Sequence, residues 1–85
     1  MSVEVPKSVN GYSLGVGQDG STVYNSEDRQ AKIICKMVST SGGDVWNCML
    51  YASDTPYGRM KPRTSTIAES VDDFQSAFEI LDEKR

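Results

Sequence analysis

Only a few groups of residues in this chain have the types and spacing to do chemistry. Residues 15–20 read GVGQDG, the G-x-G-x-x-G spacing of a dinucleotide-binding turn. Asp72–Asp73 and Asp82–Glu83 are adjacent carboxylates of the kind that share acid–base work. Cys35 and Cys48 are the two thiols. Lys32, Lys36, Arg59, Lys61 and Arg63 occur with Tyr51 and Tyr57, a combination that can neutralise phosphates and stack bases.

Each group depends on an element that must hold it, and most fail there. A dinucleotide fingerprint needs a strand, the glycines, and then a helix whose N-terminus meets the pyrophosphate. Gly20 is followed by STVYN, which is β-prone and then turn-like. GVGQDG therefore reads as a hairpin: Tyr12, Leu14 and Val16 alternate with small residues, and Asp19-Gly20 supplies a two-residue turn. That turn sets Val16 opposite Val23 and Tyr24 opposite Gly15.

The paired carboxylates fall on a helix, where neighbours point about 100° apart and cannot share a proton. The chain has no histidine, which removes the commonest general base and the commonest metal ligand. Its serines have no partner to activate them, and no G-x-S-x-G elbow is present. The sequence predicts no enzyme, no catalytic residue, no metal site, no cofactor and no small-molecule ligand.

The thiols belong to the most informative stretch, AKIICKMVSTSGGDVWNCMLYA. Runs 31–38 and 45–52 flank Gly42-Gly43 and read as a second hairpin. A tight Gly-Gly turn pairs Ser41 with Asp44, and a six-residue loop pairs Val38 with Val45; both leave the same residues on the same face. One face carries Ala31, Ile33, Cys35 and Met37 with Trp46, Cys48, Leu50 and Ala52, all apolar, and is the expected core. Cys35 and Cys48 on that face read as small buried hydrophobes, with a cross-strand disulfide as the alternative in an oxidising compartment.

The other face carries Lys32, Ile34, Lys36 and Val38 with Val45, Asn47, Met49 and Tyr51. It is too apolar for a fully solvated face and too charged for a buried one. Cover by the N-terminal hairpin is its structural explanation, and a partner is its functional one. Residues 53–63, SDTPYGRMKPR, read as a loop broken by Pro56 and Pro62, and TSTIA at 64–68 as a short edge strand.

The C-terminus predicts an amphipathic helix over about 71–83. Val71, Phe74, Ala77, Phe78 and Leu81 form one apolar stripe, with Ile80 at the core margin. Ser70 and Asp73 resemble a capping box, and Lys84 and Arg85 suit the negative end of the dipole.

The expected fold is therefore α+β. It is a small antiparallel sheet of three to five strands, built from hairpins at about 12–24 and 31–52, with the helix packed on one face. The 85 residues form one domain, with 1–10 a flexible lead-in. No apolar run approaches the roughly 20 residues that span a bilayer, and no basic-then-apolar leader opens the chain, so no membrane contact and a cytoplasmic location are expected.

Net charge is −3, but it is unevenly spread. From Arg29 to Arg63 six bases face two acids, and from Thr64 to Glu83 there are six acids and no base. The expected function is a small non-catalytic protein-interaction or regulatory module, with a protein partner or a second copy seated on the mixed apolar and basic face. The alternative is a single-stranded nucleic-acid-binding module using that face and the basic loop 57–63. The residues assigned to partner binding are Lys32, Ile34, Lys36, Asn47, Met49, Tyr51, Tyr57, Arg59, Lys61 and Arg63.

Overall fold

The computed structural model describes residues 5–15, 17, 21–55 and 57–85. Their strands are β1 (Ser8–Val9), β2 (Tyr12–Leu14), β3 (Thr22–Ser26), β4 (Ala31–Thr40), β5 (Gly43–Ala52) and β6 (Lys61–Ala68). A 3-10 turn at Val71–Asp73 leads into helix α1, Phe74–Asp82. Each strand pairs antiparallel with its sequence neighbour, so six strands form one sheet in the order β1-β2-β3-β4-β5-β6. The α+β class and the helix on one face are as expected, but the sheet is larger than the three to five strands anticipated.

The extra strand is β1, at one edge. Val9 pairs with Tyr12 across Asn10-Gly11, whose φ angles of 49° and 83° are those of a two-residue hairpin turn. At the opposite edge β6 begins at Lys61 rather than Thr64, taking in Lys61, Pro62 and Arg63, which the sequence placed in the loop. Proline is tolerated there because an edge strand has one side without ladder bonds. Leu50 pairs with Thr64 and Tyr51 with Pro62, so Arg63 is the extra residue of a bulge.

The core forms between one sheet face and the helix. Ala31, Ile33, Cys35, Cys48, Leu50 and Ala52 are buried there as the alternation predicts, joined by Tyr12, Tyr24 and Trp46. Met37 is the exception: it sits near the far end of β4 and is 46% exposed. Above them lie Phe74, Ala77, Phe78 and Leu81, with Val71 packed at the side. Tyr24 meets Phe78 edge-on at 4.9 Å, Trp46 meets Phe74 at 5.3 Å, and the two phenylalanines stack at 5.6 Å. Such ring pairs add roughly 0.5–1.5 kcal/mol each beyond the burial of their area. Ile80 lies on the outer side of α1, 52% exposed, and is not a core margin.

The first hairpin is shifted by one residue from its predicted register, which brings Tyr24, rather than Val23, onto the face of Tyr12 and Leu14. Tyr24 pairs with Leu14, not Gly15, and Ser26 pairs with Tyr12. The Tyr24 ring points into the core instead of covering the glycine, and its hydroxyl donates to the Pro6 carbonyl at 2.6 Å. The reason is local. The Gly15 amide bonds the Val23 carbonyl at 2.7 Å, and Gly17 lies so close to Ser21 that a Cβ there would sit 1.9 Å from its carbonyl oxygen. The residues of the predicted Asp19-Gly20 turn, and Val16 of the predicted Val16–Val23 pair, lie outside those described.

The second hairpin takes the Val38–Val45 register, and its strands run on to Thr40 and Gly43. Ser41-Gly42 then make a two-residue turn in place of the six-residue loop. The capping box does not form. The Asp73 amide, which the Ser70 hydroxyl would accept, is bonded to the Ser70 carbonyl at 3.1 Å by the 3-10 turn, and neither side chain caps.

Candidate interaction face

Alternation along β4 and β5 puts six of the ten predicted partner-binding residues on the side of the sheet away from the helix. Cross-strand pairs there are Lys32–Tyr51, Ile34–Met49, Lys36–Asn47 and Val38–Val45. The face extends to Val23, opposite Ile34, and to Ser65 and Ile67, opposite Met49 and Asn47. The first hairpin does not fold over it; β2 and β3 continue the sheet edge to edge. Among the described residues, no second layer covers this face.

Its side chains shield one another instead. Lys32, Ile34, Asn47, Met49 and Tyr51 are half-buried, while Lys36 is exposed. The Lys32 ammonium stands 5.6 Å from the centre of the Tyr51 ring, within reach of a cation–π attraction. Ile34, Lys36, Asn47, Met49 and Tyr51 line a cavity of about 180 Å³. Its lining is mostly aliphatic and aromatic, with the Lys36 ammonium, the Asn47 amide and the Tyr51 hydroxyl as its polar side-chain groups. Among strand residues on this face, Lys32 and Lys36 are the charged ones, and no carboxylate opposes them.

The remaining predicted residues lie elsewhere. Tyr57 is on the β5–β6 loop and is 98% exposed, packing on nothing that would orient it. Arg59, Lys61 and Arg63 line a separate cleft with Asp54, and the Arg63 guanidinium is paired to the Asp54 carboxylate. The ten residues thus do not form one surface: six are on the sheet face, Tyr57 and Arg59 on the β5–β6 loop, and Lys61 and Arg63 at the start of β6. Val23 and Ile67 were missed. Val23 could be placed only with the β3–β4 register, and Ile67 only with the β5–β6 register.

A second cluster was not foreseen. The Ser26 hydroxyl donates to Asp28 at 2.6 Å and accepts the Ala31 amide at 3.0 Å. Arg85 reaches both Asp28 oxygens, at 3.0 and 2.7 Å, and lies 3.7 Å from Asp82. The Ser26 hydroxyl, the Gln30 amide and Arg85 together hold the Asp28 carboxyl well below its usual range. These groups line a cleft of about 490 Å³ with Asn10, Gly11 and Tyr12. These groups bond to one another, which makes the cluster a fastening for the helix end. Residues 28 and 85 are far apart in sequence, and no local pattern signals their meeting.

Cys35 and Cys48 are directly opposite on the core face, fully buried, and both free. Contact with the Cys48 thiol, and then burial, push the Cys35 thiol up, away from the reactive thiolate. Among the described residues no helix is long and apolar enough to cross a membrane, and no three His, Cys, Asp or Glu side chains gather as a metal site. No family model matches the chain, and neither a curated protein nor a solved structure shows significant similarity to it.

Proposed function

We propose that the chain is a non-catalytic protein-binding module and that the open face of the sheet is its binding surface. The observation that carries this is the cavity beside Lys36, with Ile34, Met49 and Tyr51 as its floor and no layer above. Small-molecule sites usually enclose about 300–1,000 Å³. A space of about 180 Å³ suits a single anchoring side chain, the way protein interfaces concentrate their energy. The lysines, unopposed by carboxylates, select a partner whose anchor is flanked by Asp or Glu.

Two copies stacked face to face would bring lysines against lysines, so the partner on this face is a different, acidic protein segment. Single-stranded nucleic acid is less well served. Tyr51 is the one aromatic ring among the strand residues of the face, and Lys32 already occupies its reach. Stacking platforms present successive rings.

Selection of random displayed peptides against the wild type, counter-selected on Lys36→Glu, tests this. Enriched peptides should share an apolar anchor with flanking carboxylates and shift the amides of Ile34, Lys36, Asn47, Met49 and Tyr51. Lys36→Glu should lose that binding while melting as the wild type does. Failure to enrich such peptides, with a mixed-sequence single-stranded oligonucleotide shifting the same amides at physiological salt, would replace this reading with the nucleic-acid one.

A further inference from the structure

The fold sets two thiols, Cys35 and Cys48, directly opposite each other on β4 and β5. Whether such a pair can be joined depends on its place in the ladder. Antiparallel pairs alternate between two classes. Hydrogen-bonded pairs hold their Cα atoms about 5.5 Å apart; the others hold them about 4.5 Å apart, with side chains closer.

The register decides the class. β4 and β5 pair from Ala31–Ala52 to Thr40–Gly43 without a shift. Thr40–Gly43 closes a two-residue turn, so it is a hydrogen-bonded pair. In the other class its outer bond would have to join Ser41 to its own neighbour Gly42. Counting from there, Val38–Val45 and Lys36–Asn47 are hydrogen-bonded, whereas Met37–Trp46 and Cys35–Cys48 are not. The other end agrees. The Ser53 amide bonds the Gln30 carbonyl at 2.8 Å, which makes the pair beyond Ala31–Ala52 a hydrogen-bonded one. From either end Cys35–Cys48 falls in the close class. Disulfides span Cα separations of about 4.4–6.8 Å, so this pair lies inside the range, at its short end.

Both thiols are free and fully buried, out of reach of an oxidant in the folded chain. Joining them therefore belongs to the state in which β4 and β5 are apart.

We propose that Cys35 and Cys48 form a reversible intramolecular disulfide when the chain folds in the presence of a low-molecular-weight disulfide such as oxidised glutathione. The thiolate of one cysteine attacks the oxidant's S–S bond, giving a mixed disulfide and releasing one glutathione thiol. As the strands close, the second thiolate attacks the cysteine sulfur of that mixed disulfide. The Cys35–Cys48 bond forms and the other glutathione leaves. Two electrons pass to the oxidant, and the two cysteine protons end on the two glutathione thiols. The mixed disulfide has no room in the core, so closure of the sheet favours the second step. The bond joins β4 to β5 between the pairs Ile34–Met49 and Lys36–Asn47, on the opposite side of the sheet from their side chains. It does not depend on what binds the open face. Under reducing conditions packing alone holds the hairpin; under oxidising ones a cross-link also restricts the unfolded chain.

The test is to dilute the reduced full chain from denaturant into an oxidising glutathione buffer, then to count thiols by alkylation and mass spectrometry. The product should be a monomer lighter by two hydrogens, with the peptides holding Cys35 and Cys48 joined. Its folding equilibrium constant should rise roughly a hundredfold, read as a higher denaturant midpoint. Reduction with dithiothreitol in denaturant should abolish the gain. Reduced chain that is already folded should lose its thiols in the same buffer no faster than it unfolds. Refolding to a chain with both thiols free overturns the proposal. So does a product that stops at the mixed disulfide or links two chains, a bonded chain with no gain in stability, or oxidation of the folded chain faster than its unfolding.

Discussion

The Tyr12 hydroxyl donates to Asp82 Oδ1 at 2.8 Å, binding the second strand to the last residue of the helix across 70 positions of sequence. The same tyrosine lies edge-on to Phe78, with ring centres 5.8 Å apart. One side chain thus serves the core through its ring and the polar cluster through its oxygen. Arg85 completes the fastening by bridging Asp82 and Asp28.

Tyr12→Phe separates these roles, since it keeps the ring and removes the donor. Hydrogen bonds to charged groups contribute about 1.5–3 kcal/mol, and the pair is only partly buried, so a loss of about 1–2 kcal/mol is expected. Denaturant titration followed by circular dichroism measures it. An unchanged midpoint would mean that Asp82 contributes nothing through Tyr12.

Alkaline pH should loosen the fold through its tyrosines. Burial, and then the Asp82 carboxylate, push Tyr12 up, while burial pushes Tyr24 up to about 12. A phenol whose folded pKa is raised is held neutral by folding. Its contribution is complete below the unfolded value of about 10 and is lost as pH rises through the folded one. Melting temperature should therefore decline between about pH 10 and 12, and less steeply in Tyr12→Phe. Equal slopes in wild type and variant would exclude Tyr12 as a contributor.

Trp46→Ala should be among the most damaging single changes. The indole is buried at the far end of the core and packs on Phe74, whose ring also stacks on Phe78. Removing it costs about 3–5 kcal/mol, enough to unfold a domain of this size or nearly so. Trp46→Phe should retain most of that stability. Near-wild-type melting of the alanine variant would refute the assignment of the core face.

What the sequence disclosed is what periodicity can carry. The alternation through Ile33, Cys35, Cys48 and Leu50 picked the buried face, and the i, i+3, i+4 spacing of Phe74, Ala77, Phe78 and Leu81 picked the helix stripe. Both are set by how an element meets one apolar layer. Asn10-Gly11 was a strong local hairpin signal, and it was passed over because the pattern was taken to begin at Tyr12. Pro62 argued for a loop because the rule against proline holds in strand interiors, and it is relaxed on an edge. The six-residue part of the candidate face was legible once the second hairpin was in register. That Tyr57 and Arg59 stand apart from it was not, since loop geometry has no period to read. The Asp28–Arg85 meeting was invisible for a different reason, being made by the return of the helix over the first hairpin.

The unbroken order of the strands has a consequence for how the chain finds this arrangement. Every ladder joins sequence neighbours, so the whole sheet can be zipped through short loops, each closing at little entropic cost. Helix docking is the one long closure, bringing Asp82 to Tyr12 and Arg85 to Asp28. The fold thus combines a sheet of low contact order with a single late-sequence latch, and the topological cost that slows most β proteins falls on that latch alone.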